Sequence, residues 1–397
     1  MSSSPSPSRS SLRLGLGALL VLGAMLPGTI VIPVVRSFIT AGWPGAEWLM
    51  HAFIAVNLLG AVVGGPLLAV RAERLGRRRL VAGVSAMLDG AFLLGVTLSP
   101  PVWLLLTLRF VQGAVYIAAV SILMGTIRRQ SKSAASMGVV GGAVVMSILI
   151  GIPLGAILAK NDPALPLVVG GVLGVLTGLV ALVVLPKATD AEQSQVTFRS
   201  LVFDAPALRA PTFVVALERF AVGAFIVPLQ LYGHHVLGVP DAKVNGWFSA
   251  FLMIFALATW PMAQLGERVD RWLLIAFGAL AYALTYAVLG FTPVGLIVVV
   301  VGVAGLASAA IYGPSLGLAA QAVPDTARAS AMAVLNAAGT LGMFLGSALA
   351  GGLSSALLSA GVDRGTAYRA VFLAAGVAQL FSVVVALRRR SQRALAT

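Results

Sequence analysis

An all-α membrane protein, twelve transmembrane helices in two pseudo-symmetric six-helix bundles, is predicted by three observations on this 397-residue chain. Hydrophobic residues make up 59% of it and charged residues only 10%, a balance that a water-facing domain does not tolerate. The sequence divides into twelve apolar runs, each near the ~20 residues that cross a bilayer core as a helix. The second half also repeats features of the first at a nearly constant offset.

Residues 1–13 are Ser/Pro-rich, carry Arg9 and Arg13, and read as a disordered cytoplasmic tail. The run over 14–35 is too long for a signal-peptide core and lacks a small-x-small cleavage site, so it is taken as helix 1. Spans at 48–70, 80–98, 102–127, 134–158 and 165–185 complete an N-terminal bundle over 14–186. A polar cytoplasmic linker, 187–210, leads to a C-terminal bundle over 211–387 with spans at 211–232, 246–265, 272–290, 295–319, 329–353 and 368–387. A basic cytoplasmic tail, 388–397, closes the chain. The uncharged stretch Trp272–Pro324 is 53 residues long, too long for one span, and is divided at the turn signal Phe291-Thr292-Pro293-Val294.

Charge sorts the connections. With both termini in the cytoplasm, 20 of the 27 Lys and Arg residues fall inside, five (Arg36, Lys160, Lys243, Arg364, Arg369) outside, and Arg109 and Arg219 within spans. That is the positive-inside pattern. The net charge of +14 is then explained by topology and by contact with anionic lipid headgroups, and calls for no nucleic acid.

At an offset of 194–195, Ala69–Arg77 falls on Ala263–Arg271, Pro33 on Pro228, and Ala134-Ala135-Ser136-Met137 on Ala329-Ser330-Ala331-Met332. Matches in the same order at nearly one offset imply two parallel six-helix bundles, an arrangement that puts a substrate site near the bilayer midplane between halves that rock against each other.

These residues resemble the major facilitator superfamily over the whole chain after the tail. Glu73-Arg74-Leu75-Gly76-Arg77-Arg78-Arg79 is similar to that family's loop signature between helices 2 and 3, with Glu for its usual Asp and Ala69 for its usual Gly. Arg109-Phe110-Val111-Gln112-Gly113 resembles its Arg-x-x-Gln-Gly motif in helix 4. Gly151-Ile152-Pro153-Leu154-Gly155, with Asn336, Gly342 and Gly346, resembles the efflux branch of drug:proton antiporters and arabinose-efflux-type permeases. The helix 5 motif is a shortened form of the antiporters' signature, and Ala24 stands where many of them carry an acid.

Four formal charges lie well inside the predicted spans, Asp89, Arg109, Glu218 and Arg219, whereas Arg369 sits at the outer edge of the last one. Each is a candidate for function, because an intramembrane charge is costly unless paired or wetted. Counted from the outer helix ends, Asp89 and Arg109 lie at depths of about 13 and 10 Å and can meet. Arg109 is expected to hold or release Asp89 with its protonation; a permanent ion pair is the plainer alternative. Glu218 is the second proton-carrier candidate. Arg219 follows it at about 100° around the helix, so the two are not expected to face each other. Its face, shared with Gly223 and Gln230, is aimed at the substrate cavity, or else Arg219 snorkels to the inner headgroups.

Arg109, Gln112 and Tyr116 form one polar-aromatic stripe on helix 4, and Asn336, Thr340 and Phe344 another on helix 11. Asn57 and Tyr312 add polar tips. A cavity so lined suits an amphipathic or modestly polar organic solute, although any one of these residues could instead serve an interhelical hydrogen bond.

The loop holding Glu73, Arg74, Gly76, Arg77 and Arg78 reads as a gate. A glycine turn lets the acid approach a neighbouring helix start, which attracts it, and the resemblance implies that the latch stabilises the outward-facing state. The copy with Glu267, Arg268 and Arg271 has Asp270 in place of the glycine and is expected to be a looser latch. A topogenic charge cluster is the alternative for both.

Other classes fare worse. Gly313-Pro314-Ser315-Leu316-Gly317 spells a hydrolase nucleophile motif but sits in a predicted helix with no histidine after His235. His51, His234 and His235 lack metal-site spacing. No phosphate-binding G-x-x-x-x-G-K-[ST] loop occurs and cysteine is absent, so no ATP motor, cofactor or thiol chemistry is expected. The expectation is a non-enzymatic, monomeric secondary transporter of the plasma (inner) membrane that exports small organic solutes or drugs with proton coupling. A sugar, nucleoside or amino-acid permease working as exporter or uniporter is the second reading, and a membrane protein that binds without transporting is the third.

Overall fold

The computed structural model describes residues 7–44, 48–130, 136–160, 162–186, 197, 199–201 and 205–394. Its helices are α1 (Pro7–Ile30), α2 (Val35–Gly42), α3 (Trp48–Arg74), α4 (Arg78–Val96), α5 (Val102–Gln130), α6 (Ser136–Leu158), α7 (Leu165–Val184), α8 (Pro206–His235), α9 (Asp241–Arg268), α10 (Arg271–Leu289), α11 (Ile297–Gln321), α12 (Arg328–Ser359) and α13 (Arg364–Ala394). All except the eight-residue α2 are long and apolar enough to cross a membrane, which makes twelve among the described residues.

Several predicted boundaries move, each for a local reason. Helix α1 starts at Pro7, so part of the predicted disordered tail is helical. Proline suits a first helical turn because its φ is preset and its missing N–H would have had no partner there. The first apolar span covers Leu14–Val34, close to the prediction, although regular α1 ends at Ile30 and Pro33 sits in a 3₁₀ turn over Ile32–Val34 before α2 continues. The break in the 53-residue apolar stretch lies between Leu289 and Ile297 and contains the Phe291–Val294 turn. Helix α8 begins at Pro206 and takes in the end of the predicted linker; residues 187–196 of that linker lie outside the described residues. The predicted basic tail is helical through Ala394.

Two compact units result: residues 1–205 with 320–337, and residues 206–319 with 338–397. Compact packing therefore divides the chain differently from the sequence halves, because the start of α12 is hydrogen-bonded to α3 and α5. Inside the first unit α1 packs on α6, α3 on α5 and α4 on α7. Inside the second the corresponding pairs are α8 with α12, α9 with α11 and α10 with α13. Small residues permit this closeness: a Cβ on Gly113 would lie 1.9 Å from the Asn57 carbonyl oxygen, and one on Gly346 would lie 1.9 Å from that of Phe220.

The connection between α12 and α13 carries a cap. Asp363 precedes α13 and accepts from the Thr366 backbone N–H at 3.0 Å. Hydrogen bonds from the Thr366 side chain and backbone hold its carboxyl below the ordinary value of 3.8. A depressed carboxyl stabilises the fold above its ordinary range and loses that contribution as pH falls through its folded value. Asp363→Asn, an equally good cap, should leave the thermal midpoint near neutral pH unchanged and flatten its decline in acid; scans over a pH series check this.

Candidate functional site

Two buried charge clusters, one in each unit, hold the four intramembrane charges. In the first, Asp89 comes from α4 and is 2% exposed, while Arg109 and Gln112 come from one face of α5. Arg109 donates through Nη1 to Gln112 Oε1, and Gln112 Nε2 donates to Asp89 Oδ1 at 2.9 Å. Arg109 Nε also donates to the Phe53 carbonyl at 3.2 Å, with its guanidinium 4.0 Å from the Phe53 ring centroid. Asn57 Nδ2 donates to the Arg109 carbonyl at 3.1 Å.

Asp89 and Arg109 thus lie in one cluster, with Gln112 bonded to both and standing between them. Depth counting put acid and base at similar levels but did not fix their direction around each helix. The helix 4 stripe also divides, since Tyr116 turns to α1 and donates to Met25 Sδ at 2.8 Å.

In the second cluster Glu218 is wholly buried, and one of its oxygens, Oε1, accepts from Ser308 on α11. Its other oxygen, Oε2, lies 3.4 Å from Arg219 Nε, which overturns the expectation that neighbours 100° apart do not pair. A long arginine side chain can curl back across its own helix, and here aromatic rings hold it: its guanidinium carbon is 4.5 Å from the Tyr312 centroid and 5.3 Å from that of Phe255. Arg219 is 8% exposed, so in this structure it does not snorkel. Nor does its face form one cavity wall. Gly223 lies against the Met343 carbonyl of α12, while Gln230 is exposed and 3.5 Å from Asn245.

Sequence reading missed several partners. Tyr286 donates to the Ala221 carbonyl at 2.7 Å, and its hydroxyl lies 3.3 Å from that of Tyr282. Tyr282 and Tyr286, four residues apart in an otherwise apolar helix, were the available signal.

The loop expected to act as a gate is built as a helix cap. Glu73, 1% exposed at the end of α3, accepts from the backbone N–H groups of Ala329 at 2.8 Å and Ser330 at 3.0 Å, and from the Ser330 hydroxyl. These groups open α12, where unpaired N–H groups and the helix dipole favour an anion. Gly76 permits the turn with φ +63°, a conformation that L side chains rarely adopt. Of the expected arginines only Arg78 turns inward, 4.0 Å from Glu73, whereas Arg74 and Arg77 are exposed. Nearby, Asn336 Nδ2 donates to Ser121 Oγ at 3.0 Å. The helix 11 stripe thus divides too, with Thr340 half-buried and Phe344 exposed.

The second copy is built differently. Asp270 caps its own helix, accepting from Leu273 N–H at 2.8 Å, and Arg271 Nε donates to the Gly266 carbonyl at 3.0 Å. Glu267 and Arg268 are exposed.

Removing the Glu73 charge with Glu73→Gln should loosen the start of α12. Because the chain has no cysteine, a Ser121→Cys probe in that background should react several-fold faster with a maleimide than Ser121→Cys alone.

Twelve apolar helices with charges sheltered inside them are the make-up of a polytopic transporter. Ser315 of the hydrolase-like motif, by contrast, is fully buried within α11. The chain belongs to the Major Facilitator Superfamily, whose family model matches residues 14–259 and 212–396. No curated protein matches it. Among solved structures it is similar to the human organic anion transporter MFSD10 (TETRAN), at 14% identity and TM-score 0.72, covering 96% of this chain and 100% of that one. It is also similar to a bacterial homologue of the iron transporter ferroportin in an outward-facing state, at 14% identity and TM-score 0.73, covering 96% and 99%. At that identity the likeness concerns the fold. The protein is a multi-pass membrane transporter and not an enzyme.

Proposed function

We propose that the protein is a proton-coupled exporter of small organic solutes, working by alternating access as a monomer in the plasma membrane with both termini cytoplasmic. The observation that carries the reading is the pair of buried carboxylates, Asp89 and Glu218, each linked to an arginine in the same unit. A charge at the bilayer centre costs about 2.5–3.5 kcal/mol on insertion scales, whereas an interhelical hydrogen bond returns about 0.6 kcal/mol. Packing alone is a poor reason to keep four such charges, and a proton-carrying role is a good one. Arg109, through Gln112, and Arg219 are the counter-charges that favour the ionised acids. Asn57, Tyr116, Gln230, Tyr312, Asn336 and Thr340 are proposed solute contacts at stages of the cycle.

Glu73 on the start of α12 is proposed as the latch that opens and closes in each cycle, with the Glu267–Arg271 loop in a lesser role. Export rests on the resemblance of the helix 5 and helix 11 motifs to the efflux branch. The printed descriptions of the two solved relatives, an organic anion transporter and a homologue of an iron transporter, fit a solute carrier and leave the organic class open.

Reconstitution into vesicles with an internal pH dye tests the reading. An imposed proton gradient should drive at least one solute of an organic panel against its own gradient, with protons moving oppositely. Equilibration that ignores the proton gradient would instead support the permease reading, and absence of flux the binding reading.

A further inference from the structure

We propose that Gln112 is the positioning residue that senses the charge of Asp89. Its amide bridges Asp89 and Arg109 while the acid is ionised, and turns to pair with the acid through both its atoms, letting go of Arg109, when a proton arrives. The inference rests on the reading of Asp89 as a proton carrier and adds the residue that converts the proton into a change of contacts. Every link is a hydrogen bond: Arg109 Nη1 donates to Gln112 Oε1, and Gln112 Nε2 donates to Asp89 Oδ1 at 2.9 Å. Arg109 and Gln112 are three residues apart, so α5 presents both from one face. Gln112 is 1% exposed, and among the described residues the Asp89 side chain has no other hydrogen-bond partner.

The chemistry of the two charges dictates how the amide points. An ionised carboxylate only accepts and a guanidinium only donates, so an amide between them must turn its N–H to the acid and its oxygen to the arginine. That is the observed orientation. A proton on Asp89 Oδ2 changes the demand, because the neutral acid must donate as well as accept. With Asp89 2% exposed, an O–H left without an acceptor is costly. Gln112 Oε1, on the same amide that already serves Oδ1, is placed to accept it, and acid and amide then close a ring of two hydrogen bonds. One proton is gained at Oδ2, the bond from Nε2 to Oδ1 is kept, and Arg109 retains its charge.

The rest of the cluster is built to stay in place while the amide moves. Arg109 Nε donates to the Phe53 carbonyl at 3.2 Å, the guanidinium stacks on the Phe53 ring, and Asn57 Nδ2 holds the Arg109 carbonyl at 3.1 Å. These contacts tie α5 to α3 and use neither Gln112 nor Asp89. The amide, by contrast, turns about a terminal sp³–sp² torsion, which is broad and roughly two-fold. On protonation the guanidinium loses a hydrogen bond and the pull of an ionised acid together, and α3 alone holds it. No second acid or base competes. Of the helices packed on α4, α7 has no titratable side chain, and those of α1 (Arg9, Arg13) and α3 (His51, Arg71, Glu73, Arg74) lie near helix ends. Arg78 and Arg79 open α4 itself, Arg128 and Arg129 end α5, and Tyr116 of α5 is turned to Met25. Asp89 is therefore the group that titrates, and Arg109 the charge that responds.

Acid-minus-neutral infrared difference spectra of the purified full-length protein, with glutamine isotope-labelled at its side-chain carbonyl, test this without a known solute. The carboxylic C=O band that Asp89→Asn removes reports the protonation of Asp89. A labelled glutamine band should shift with the same pH midpoint, vanish from the difference spectrum in Gln112→Met, and stay still in Asp89→Asn. With labelled arginine instead, the guanidinium band that Arg109→Lys removes should shift at that midpoint, and at least twofold less in Gln112→Met. A residue that only packs would give no such signature. The Asp89→Asn arm identifies the glutamine band on its own if Gln112→Met fails to fold. An Asp89 band that titrates while no glutamine band follows it would overturn the sensing role alone. Absence of any titrating Asp89 band in the wild-type protein would overturn the proton-carrier reading beneath it.

Discussion

Glu218→Gln is expected to reduce proton-driven solute movement to the level of empty vesicles while leaving exchange of labelled for unlabelled solute intact. The glutamine keeps the shape of the side chain, and its carbonyl can still accept from Ser308, so the contact between α8 and α11 survives. What disappears is the ionisable site, and with it the counter-charge 3.4 Å from Arg219. The guanidinium is then held by the faces of Tyr312 and Phe255, an interaction worth about 0.5–2 kcal/mol. Some loss of thermal stability should accompany the change. Exchange does not require a proton to be bound and released in each cycle, so the two assays separate a coupling defect from a folding defect. Loss of both would show that Glu218 is structural; retention of both would remove it from the coupling machinery.

Arg109→Ala should be the most destabilising single change in the first unit, by about 3–5 kcal/mol, the usual consequence of removing one partner from a buried ionic network. Four interactions go at once: the bonds to Gln112 and the Phe53 carbonyl, the stacking on Phe53, and the field that favours ionised Asp89. Arg109→Lys should not rescue, because an ammonium on a flexible stem does not reproduce the planar fork that bonds Gln112 and Phe53 together. Adding Asp89→Asn to Arg109→Ala should recover part of the loss, since the orphaned acid is then neutral. Thermal unfolding of the four proteins in one detergent measures the coupling, and additive losses would refute it.

What the sequence disclosed follows from how strongly bilayer physics constrains a chain. Span number, the division of Trp272–Pro324 and the isolation of four intramembrane charges depend on hydropathy and length alone. Asp89 and Arg109 were also legible as partners, because rise per residue gives depth. The direction of a side chain around its helix was not legible in the same way: it hid Gln112 between that pair, and it hid the return of Arg219 to Glu218, which depends on rings supplied by α9 and α11. Ser308, Tyr282 and Tyr286 escaped because uncharged hydroxyls in apolar helices look like ordinary packing residues until a carboxylate is found beside them. That Glu73 would approach a helix start was legible from the glycine turn, but that the start would be that of α12 rested on no residue pattern within the loop itself.

Asp270 and Glu73 occupy related loops, yet one acid serves the first turn of its own helix and the other the first turn of a distant one. Loops that match in sequence thus differ in occupation, and mutational wear on them should leave different traces. Damage to Asp270 is a local loss, visible in a melting curve and little elsewhere. Damage to Glu73 takes an anion from the first turn of a remote segment, and on the latch reading proposed above its signature belongs in the tempo of turnover.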